Sequence, residues 1–281
     1  MKAKKTLGEN KTEIARVIAV TSGRKGMGKT NIAVSFAIVL AELGNRVTLI
    51  DMDPGVAGVN MLMDIKPEYN IGNVINEGKP VQSAITHTAY RVDILPGISA
   101  DNALVGLSET QKENLFKAAD SLCHNNDYII IDTKAGESKD SEIVMQAADE
   151  VIVITTTDPE AVMDAYATIK LIKQGSPDII IHLVINRAES EKAAINTMRK
   201  VGSIVEQFIH GQLEDDGYLP TDNAVMKAEA HNKPFVVYDP ASVATQALKG
   251  ITNAIINKHT SPLTYVRGEK EGFFVRLKNR L

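Results

Sequence analysis

Uninterrupted apolar runs of strand length recur along the chain, with stretches of helical periodicity between them. Val17-Ile18-Ala19-Val20-Thr21, Val47-Thr48-Leu49-Ile50, Tyr128-Ile129-Ile130-Ile131, Val151-Ile152-Val153-Ile154 and 179–185 read as buried strands, and Val92-Asp93-Ile94-Leu95 as a shorter one. Continuous apolar strands, rather than alternating ones, are expected when helices cover both faces of a parallel sheet. The helical stretches are 31–43, stopped by Gly44; 108–124, with Ser108 and Gln111 in capping-box spacing; 140–148; 159–173; 190–210; and 241–257. Strand and helix in alternation predict an α/β fold: a doubly wound, mainly parallel sheet with helices on both faces. One domain is expected over 14–258. A polar, Lys-rich leader over 1–13 is read as flexible, and 259–281 as a linker and an amphipathic tail.

The loop after the first strand carries the chemistry. Gly23-Arg24-Lys25-Gly26-Met27-Gly28-Lys29-Thr30 fits G-x-x-x-x-G-K-[ST], with a strand before it and a helix, beginning at Asn31, after it. Glycines there let backbone N–H groups turn inward around phosphate oxygens. Lys29 is placed to reach the β and γ phosphates and the Thr30 hydroxyl to ligate Mg2+, so the expected ligand is magnesium-bound ATP. Asp132 ends an apolar strand and suits a magnesium-holding role; Asp51 and Asp53 end another, where carboxylates can hold the metal and orient an attacking water.

Composition narrows this without redirecting it. The chain has 281 residues, 44% hydrophobic and 23% charged, as an ordinary folded domain has, and a net charge of −4 that disfavours a nucleic-acid-coating role. One cysteine, Cys123, makes neither an internal disulfide nor a Cys-rich metal site and reads as a buried small hydrophobe. No signal peptide or membrane-spanning run stands out, so a cytoplasmic location is expected.

Several segments together resemble the MinD/ParA group of deviant-Walker ATPases, and most closely its FlhG/FleN branch. Ser22 to Thr30 is similar to SGKGGVGKT, and Asp51-Met52-Asp53-Pro54-Gly55 to DxDxG. Residues 128–138, YIIIDTKAGES, resemble YIIIDTGAGIS. Thr156-Thr157-Asp158-Pro159-Glu160 with Asp164-Ala165-Tyr166, Asn186-Arg187, Gly217 to Asp222 and Lys233-Pro234-Phe235 match later family segments. The resemblance covers nearly all of 15–257. It implies an ATP-dependent homodimer joined face to face across the phosphates. Asp53 would position the hydrolytic water, Asp51 and Asp132 would support magnesium, Asn186 and its neighbour Arg187 would read adenine, and the loop from Pro220 to Asp222 would complete the base pocket. The family's signature lysine, which crosses to the partner's phosphates, aligns with Arg24, and Lys25 and Lys134 replace glycines; Arg and Lys are not equivalent donors. Either Lys25 takes the crossing role or turnover is weakened.

At helical spacing Phe273, Phe274, Leu277 and Leu281 share a face while Arg276, Lys278 and Arg280 point elsewhere, a pattern that suits an interfacial helix on anionic lipid and resembles the family's membrane-targeting segment. Reversible attachment to the inner face of the cell membrane follows, strengthened when a dimer presents two tails. The DQAxxLR helix of the flagellar branch is missing from 1–13. The protein partner, a flagellar GTPase or regulator in that branch, is not identified by the sequence. The reading is an ATPase that regulates the number or placement of a structure at the membrane, flagellar in type. A division-site regulator, a partition ATPase and a hydrolysis-impaired ATP-binding scaffold are the alternatives.

Overall fold

The computed structural model describes residues 15–53, 58–97, 104–136, 138–258 and 272–281. The leader over 1–13, the segment after Asp53 that holds Pro54 and Gly55, and the linker over 259–271 lie outside them. The chain runs β1 (Arg16–Ser22), α1 (Lys29–Glu42), β2 (Val47–Asp51), two short helices α2 (Val59–Leu62) and α3 (Ile71–Glu77), β3 (Thr86–His87) and β4 (Val92–Pro96). Then α4 (Glu109–Asn125), β5 (Tyr128–Asp132), α5 (Lys139–Ala147), β6 (Glu150–Thr155), α6 (Pro159–Gly175), β7 (Ile180–Ala188), α7 (Glu191–Ile209) and β8 (Glu214–Pro220) alternate. Helices α8 (Asn223–Ala230), α9 (Phe235–Tyr238), α10 (Val243–Lys258) and α11 (Phe273–Lys278) follow.

One eight-stranded sheet in the order β3-β4-β2-β5-β1-β6-β7-β8 organises the molecule. Every pairing is parallel except β3 with β4. The expected doubly wound sheet is what forms, because β1, β5 and β6 expose almost no side chain on either face. One apolar layer packs α4 to α7 on one face, and a second packs α1 and α8 to α10 on the other. The Ser108–Gln111 capping box at the start of α4 forms as read. Helix α1 begins two residues earlier than expected: Gly28, at φ 84°, turns the chain from the loop directly into the helix, so Lys29 is its first residue. Among the described residues no helix is long and apolar enough to cross a membrane.

At the end of the sheet where β1 and β6 begin lies a buried ionic network. Fully buried His182 sits between two carboxylates, Nε2 2.8 Å from Glu150 and Nδ1 hydrogen-bonded to Asp216. Arg16 pairs with Glu150, and Lys258, the last residue of α10, with Asp216 at 2.8 Å. A neutral imidazole has one N–H, whereas two carboxylates offer only acceptors, so the ring carries both protons. Burial opposes that charge, but the hydrogen bonds from Asp216 and Glu150 and their charges outweigh it and raise the pKa above the ordinary 6.5. A raised folded-state value stabilises the fold fully below the unfolded value and loses that stabilisation as pH climbs through the folded one. The thermal midpoint is therefore expected to fall on the alkaline side of about 6.5. A His182→Gln variant, leaving two buried carboxylates short of a cation, loses about 3 kcal/mol and most of that alkaline slope. Equal slopes in both proteins, measured by melts from pH 5.5 to 9, would remove His182 as the cause.

Candidate functional site

Strands β1, β2 and β5 end side by side, and their register sets the chemistry. Asp51 and Asp132, the last residues of β2 and β5, are direct partners across the ladder. Between β1 and α1 the glycine loop wraps the same edge, with Gly26 and Gly28 at φ 81° and 84°. Gly23 is needed for a different reason. A Cβ there would lie 2.4 Å from the backbone of Asp164, so the loop can rest against α6 only without one. Gly28 likewise leaves room for the Asn186 amide, which donates to the Met27 carbonyl at 2.8 Å.

Lys29 is buried. Its ammonium lies 2.6 Å from Asp132 and 3.7 Å from Asp53, and the Thr30 hydroxyl also hydrogen-bonds Asp132. Asp51 accepts the Asp53 backbone N–H at 3.0 Å. One cation thus serves three carboxylates. The Oδ2 atoms of both Asp51 and Asp132 are buried without a hydrogen-bond partner. Burial, then the Asp132 charge, pushes the Asp51 carboxyl up to about 6, and burial raises Asp132 as well. Two orphaned carboxylate oxygens in register, with the Thr30 hydroxyl beside them, form a hard-oxygen donor set that fits a divalent cation. The described residues contain no group of three or more His, Cys, Asp or Glu arranged to hold a metal. That is the pattern magnesium takes when phosphate oxygens and water complete its shell.

The sheet also gathers the residues expected around the base. β7 and β8 end together with Ala188 opposite Pro220, which places Asn186, Arg187 and Pro220 along one edge. Arg187 sits in the left-handed region at φ 55°, and its N–H is taken by the Asn186 side-chain oxygen. Half-buried Asn31 follows Thr30 in α1. Asp222 needs correcting as a ligand. Its carboxylate accepts from the N–H groups of Ala224 at 2.8 Å and Ala244 at 3.0 Å, so it caps α8 and holds the start of α10, and has no oxygen left for a base.

Arg24 does not project from the loop. It bonds Asp164 and lies 3.1 Å from Glu160, both on α6. Sequence reading noticed those carboxylates only as part of a family segment; their i, i+4 spacing on one helix face was the available signal. Lys25 is exposed at the loop's tip. Lys134 borders a cavity of about 850 Å³ that also reaches Ile50, Met52, Leu115, Ile131 and Phe273.

That cavity is covered by the tail. Helix α11 lays Phe273 (5% exposed) and Leu277 (3%) into the groove between α4 and α5, with Phe274 and Leu281 packed beside them. Arg276 donates to the Ala147 carbonyl at 2.8 Å and pairs with Asp149, while Arg280 reaches Gln146, Ser176 and the Gly175 carbonyl. Lys278 stands 5.8 Å over the Phe116 ring. The face expected to meet lipid is here seated on the chain's own domain, since an apolar groove satisfies the same periodicity.

Residues 15–184 match the family model described as "AAA domain". The chain is 32% identical over 263 residues to "Antiactivator FleN" of Pseudomonas aeruginosa, covering 93% of each. It is 26% identical to "Flagellum site-determining protein YlxH" of Helicobacter pylori, over 99% of this chain and 94% of that protein. In fold it is similar to the septum site-determining protein MinD complexed with Mg-ADP from Pyrococcus horikoshii OT3. That structure has a TM-score of 0.69 at 20% identity and covers 92% of this chain and 100% of the other.

Proposed function

The chain belongs to the MinD/ParA family of P-loop ATPases, and from that premise we propose that it is a nucleotide-gated dimeric switch regulating the number or placement of a flagellum at the membrane. The carrying observation is the buried Lys29 held between Asp132 and Asp53, beside two in-register carboxylate oxygens with no partner. The flagellar reading rests on the relative whose name carries it, and the magnesium nucleotide on the P. horikoshii complex.

In this reading Gly23, Gly26, Met27, Gly28 and Thr30 surround the phosphates and Lys29 neutralises the β and γ oxygens. Thr30, Asp51 and Asp132 hold the magnesium ion, which when bound neutralises charge developing on the phosphates. Asp53, partly exposed at the mouth, orients the attacking water. Asn186, Arg187 and the Pro220 turn hold adenine. Nucleotide joins two copies across this face. Met52 and Lys134, each next to a site carboxylate, border the cavity under α11, so ordering this edge bears directly on the seat of the tail. Once released, Phe273, Phe274, Leu277 and Leu281 enter an anionic membrane with Arg276 and Lys278 at its surface, and two tails hold far better than one. A hydrolysis-impaired scaffold is the second reading, favoured by Arg24 being tied to α6.

The test is ATP turnover with and without anionic liposomes, beside a chain truncated after Lys270. The full chain is expected to sediment with liposomes only with ATP and to turn over several-fold faster there, and the truncated chain to do neither. Tight ATP binding with no turnover, and no tail-dependent sedimentation, supports the scaffold instead.

A further inference from the structure

The phosphate loop carries two successive cations that the fold treats differently. Arg24 is half-buried and divided between two carboxylates of α6, its Nε on Asp164 and its Nη1 3.1 Å from Glu160. The same stretch of α6 is pressed against the loop, since the Asp164 backbone leaves no space for a side chain at Gly23. Arg24 therefore closes a contact the backbone already makes. For its guanidinium to leave, both carboxylates would have to be abandoned, including Asp164, whose own main chain cannot follow. Lys25 gives up nothing by moving. It is exposed, makes no hydrogen bond or ion pair with any described residue, and is followed by Gly26, around which an added Cβ would meet nothing within 4 Å.

The chain's own phosphates are already supplied. Lys29 stands inside the loop with the carboxylates, so a second cation directed outward from the tip faces whatever docks on that surface. The surface is not a purely polar one. On α6, Met163 lies on the side that carries Glu160 and Asp164 and is 59% exposed, a large apolar side chain left in water beside the loop. An open tip, a free cation and an apolar rim suit a second copy of this chain carrying a polyanionic ligand at its own loop.

We infer that Lys25 is the side chain that reaches the nucleotide phosphates bound by a second copy of this chain, while Arg24 is a positioning residue that fixes the phosphate loop to α6. The inference rests on the face-to-face dimer proposed above. The rule that a planar guanidinium is kept where two fixed acceptors match it, while a lysine on a flexible stem suits reach, runs the same way.

The experiment measures dimer formation by sedimentation with Mg2+ and a non-hydrolysable ATP analogue, and ATP affinity, KM and kcat in parallel, for the full chain and its Lys25→Ala, Lys25→Arg, Arg24→Ala and Asp164→Ala variants. Lys25→Ala is expected to bind ATP as tightly as the parent but to lose nucleotide-dependent dimer and at least tenfold in kcat, with Lys25→Arg recovering part of both. Arg24→Ala and Asp164→Ala are each expected to raise KM more than they lower kcat and still to dimerise, and the double variant to add little to either. Loss of dimer in Arg24→Ala with Lys25→Ala behaving like the parent overturns the assignment and leaves the dimer standing. Weakened ATP binding by monomeric Lys25→Ala overturns the reach to a second copy and assigns Lys25 to its own nucleotide. A parent chain that never dimerises with nucleotide overturns this inference together with the dimer it rests on.

Discussion

Lys29→Ala is expected to abolish measurable Mg-ATP binding and to lower turnover on the order of 10^3-fold, the scale of removing a preorganised charge from a developing anion. The same change should cost the nucleotide-free fold about 3 kcal/mol. Lys29 is the only cation among Asp51, Asp53 and Asp132, and two of those carboxylates are almost fully buried. Removing one partner of a buried pair strands the other's charge, which costs more than the pair itself contributed. Titration with a fluorescent ATP analogue, turnover and chemical denaturation read the three effects separately. Normal stability with lost binding would mean that Asp132 is compensated by something other than Lys29.

Asp51→Asn has the opposite sign in the resting protein. The folded state holds the Asp51 carboxyl at about 6 against an ordinary 3.8, because burial and Asp132 both disfavour its charge. The sign follows from linkage. The penalty is absent below about 3.8, grows as pH rises, and is complete above about 6. In metal-free buffer at neutral pH the asparagine variant is thus expected to be more stable by about 2 kcal/mol, which is roughly 5 °C in a chain of this size. Its melting midpoint no longer falls between pH 4 and 6. With Mg-ATP the order reverses, since the variant lacks one metal-facing charge and gains less from the ligand. A variant less stable than the parent without metal would show that Asp51 is compensated in the free protein. The two substitutions together describe a site that holds an excess of buried negative charge until its cation arrives.

Much of this was legible before the fold was seen, for identifiable reasons. Strands covered on both faces announce themselves as unbroken apolar runs, so β1, β2, β5, β6 and most of β7 were found, and Asp51 and Asp132 stood out as their polar ends. The short α2, α3 and β3 lack enough residues to show a period. β8 was glimpsed only in Tyr218-Leu219-Pro220, because this edge strand begins with Glu214-Asp215-Asp216 and reads as a loop. Asp222 carried a helix-capping signal that was taken for a ligand; either use wants the same short carboxylate before a helix. Arg24's partners lie far along the chain, beyond any local pattern. The tail's face was visible, but not what it would cover, since lipid and an apolar groove ask for the same spacing of Phe and Leu.

The strand order has a consequence for how the molecule is made. β1 is complete at Ser22, yet the strands that flank it in the sheet begin at Tyr128 and Glu150. During synthesis the phosphate loop therefore waits, its strand unpaired on both sides, until the middle of the chain has left the ribosome, and folding is slow to begin. The groove between α4 and α5 waits longer still, because α11 is made after every element that lines it. Each new molecule passes through a stage in which the sheet is assembled and a greasy trough beside its active edge lies open, a surface on which a chaperone or a neighbouring nascent chain can settle first.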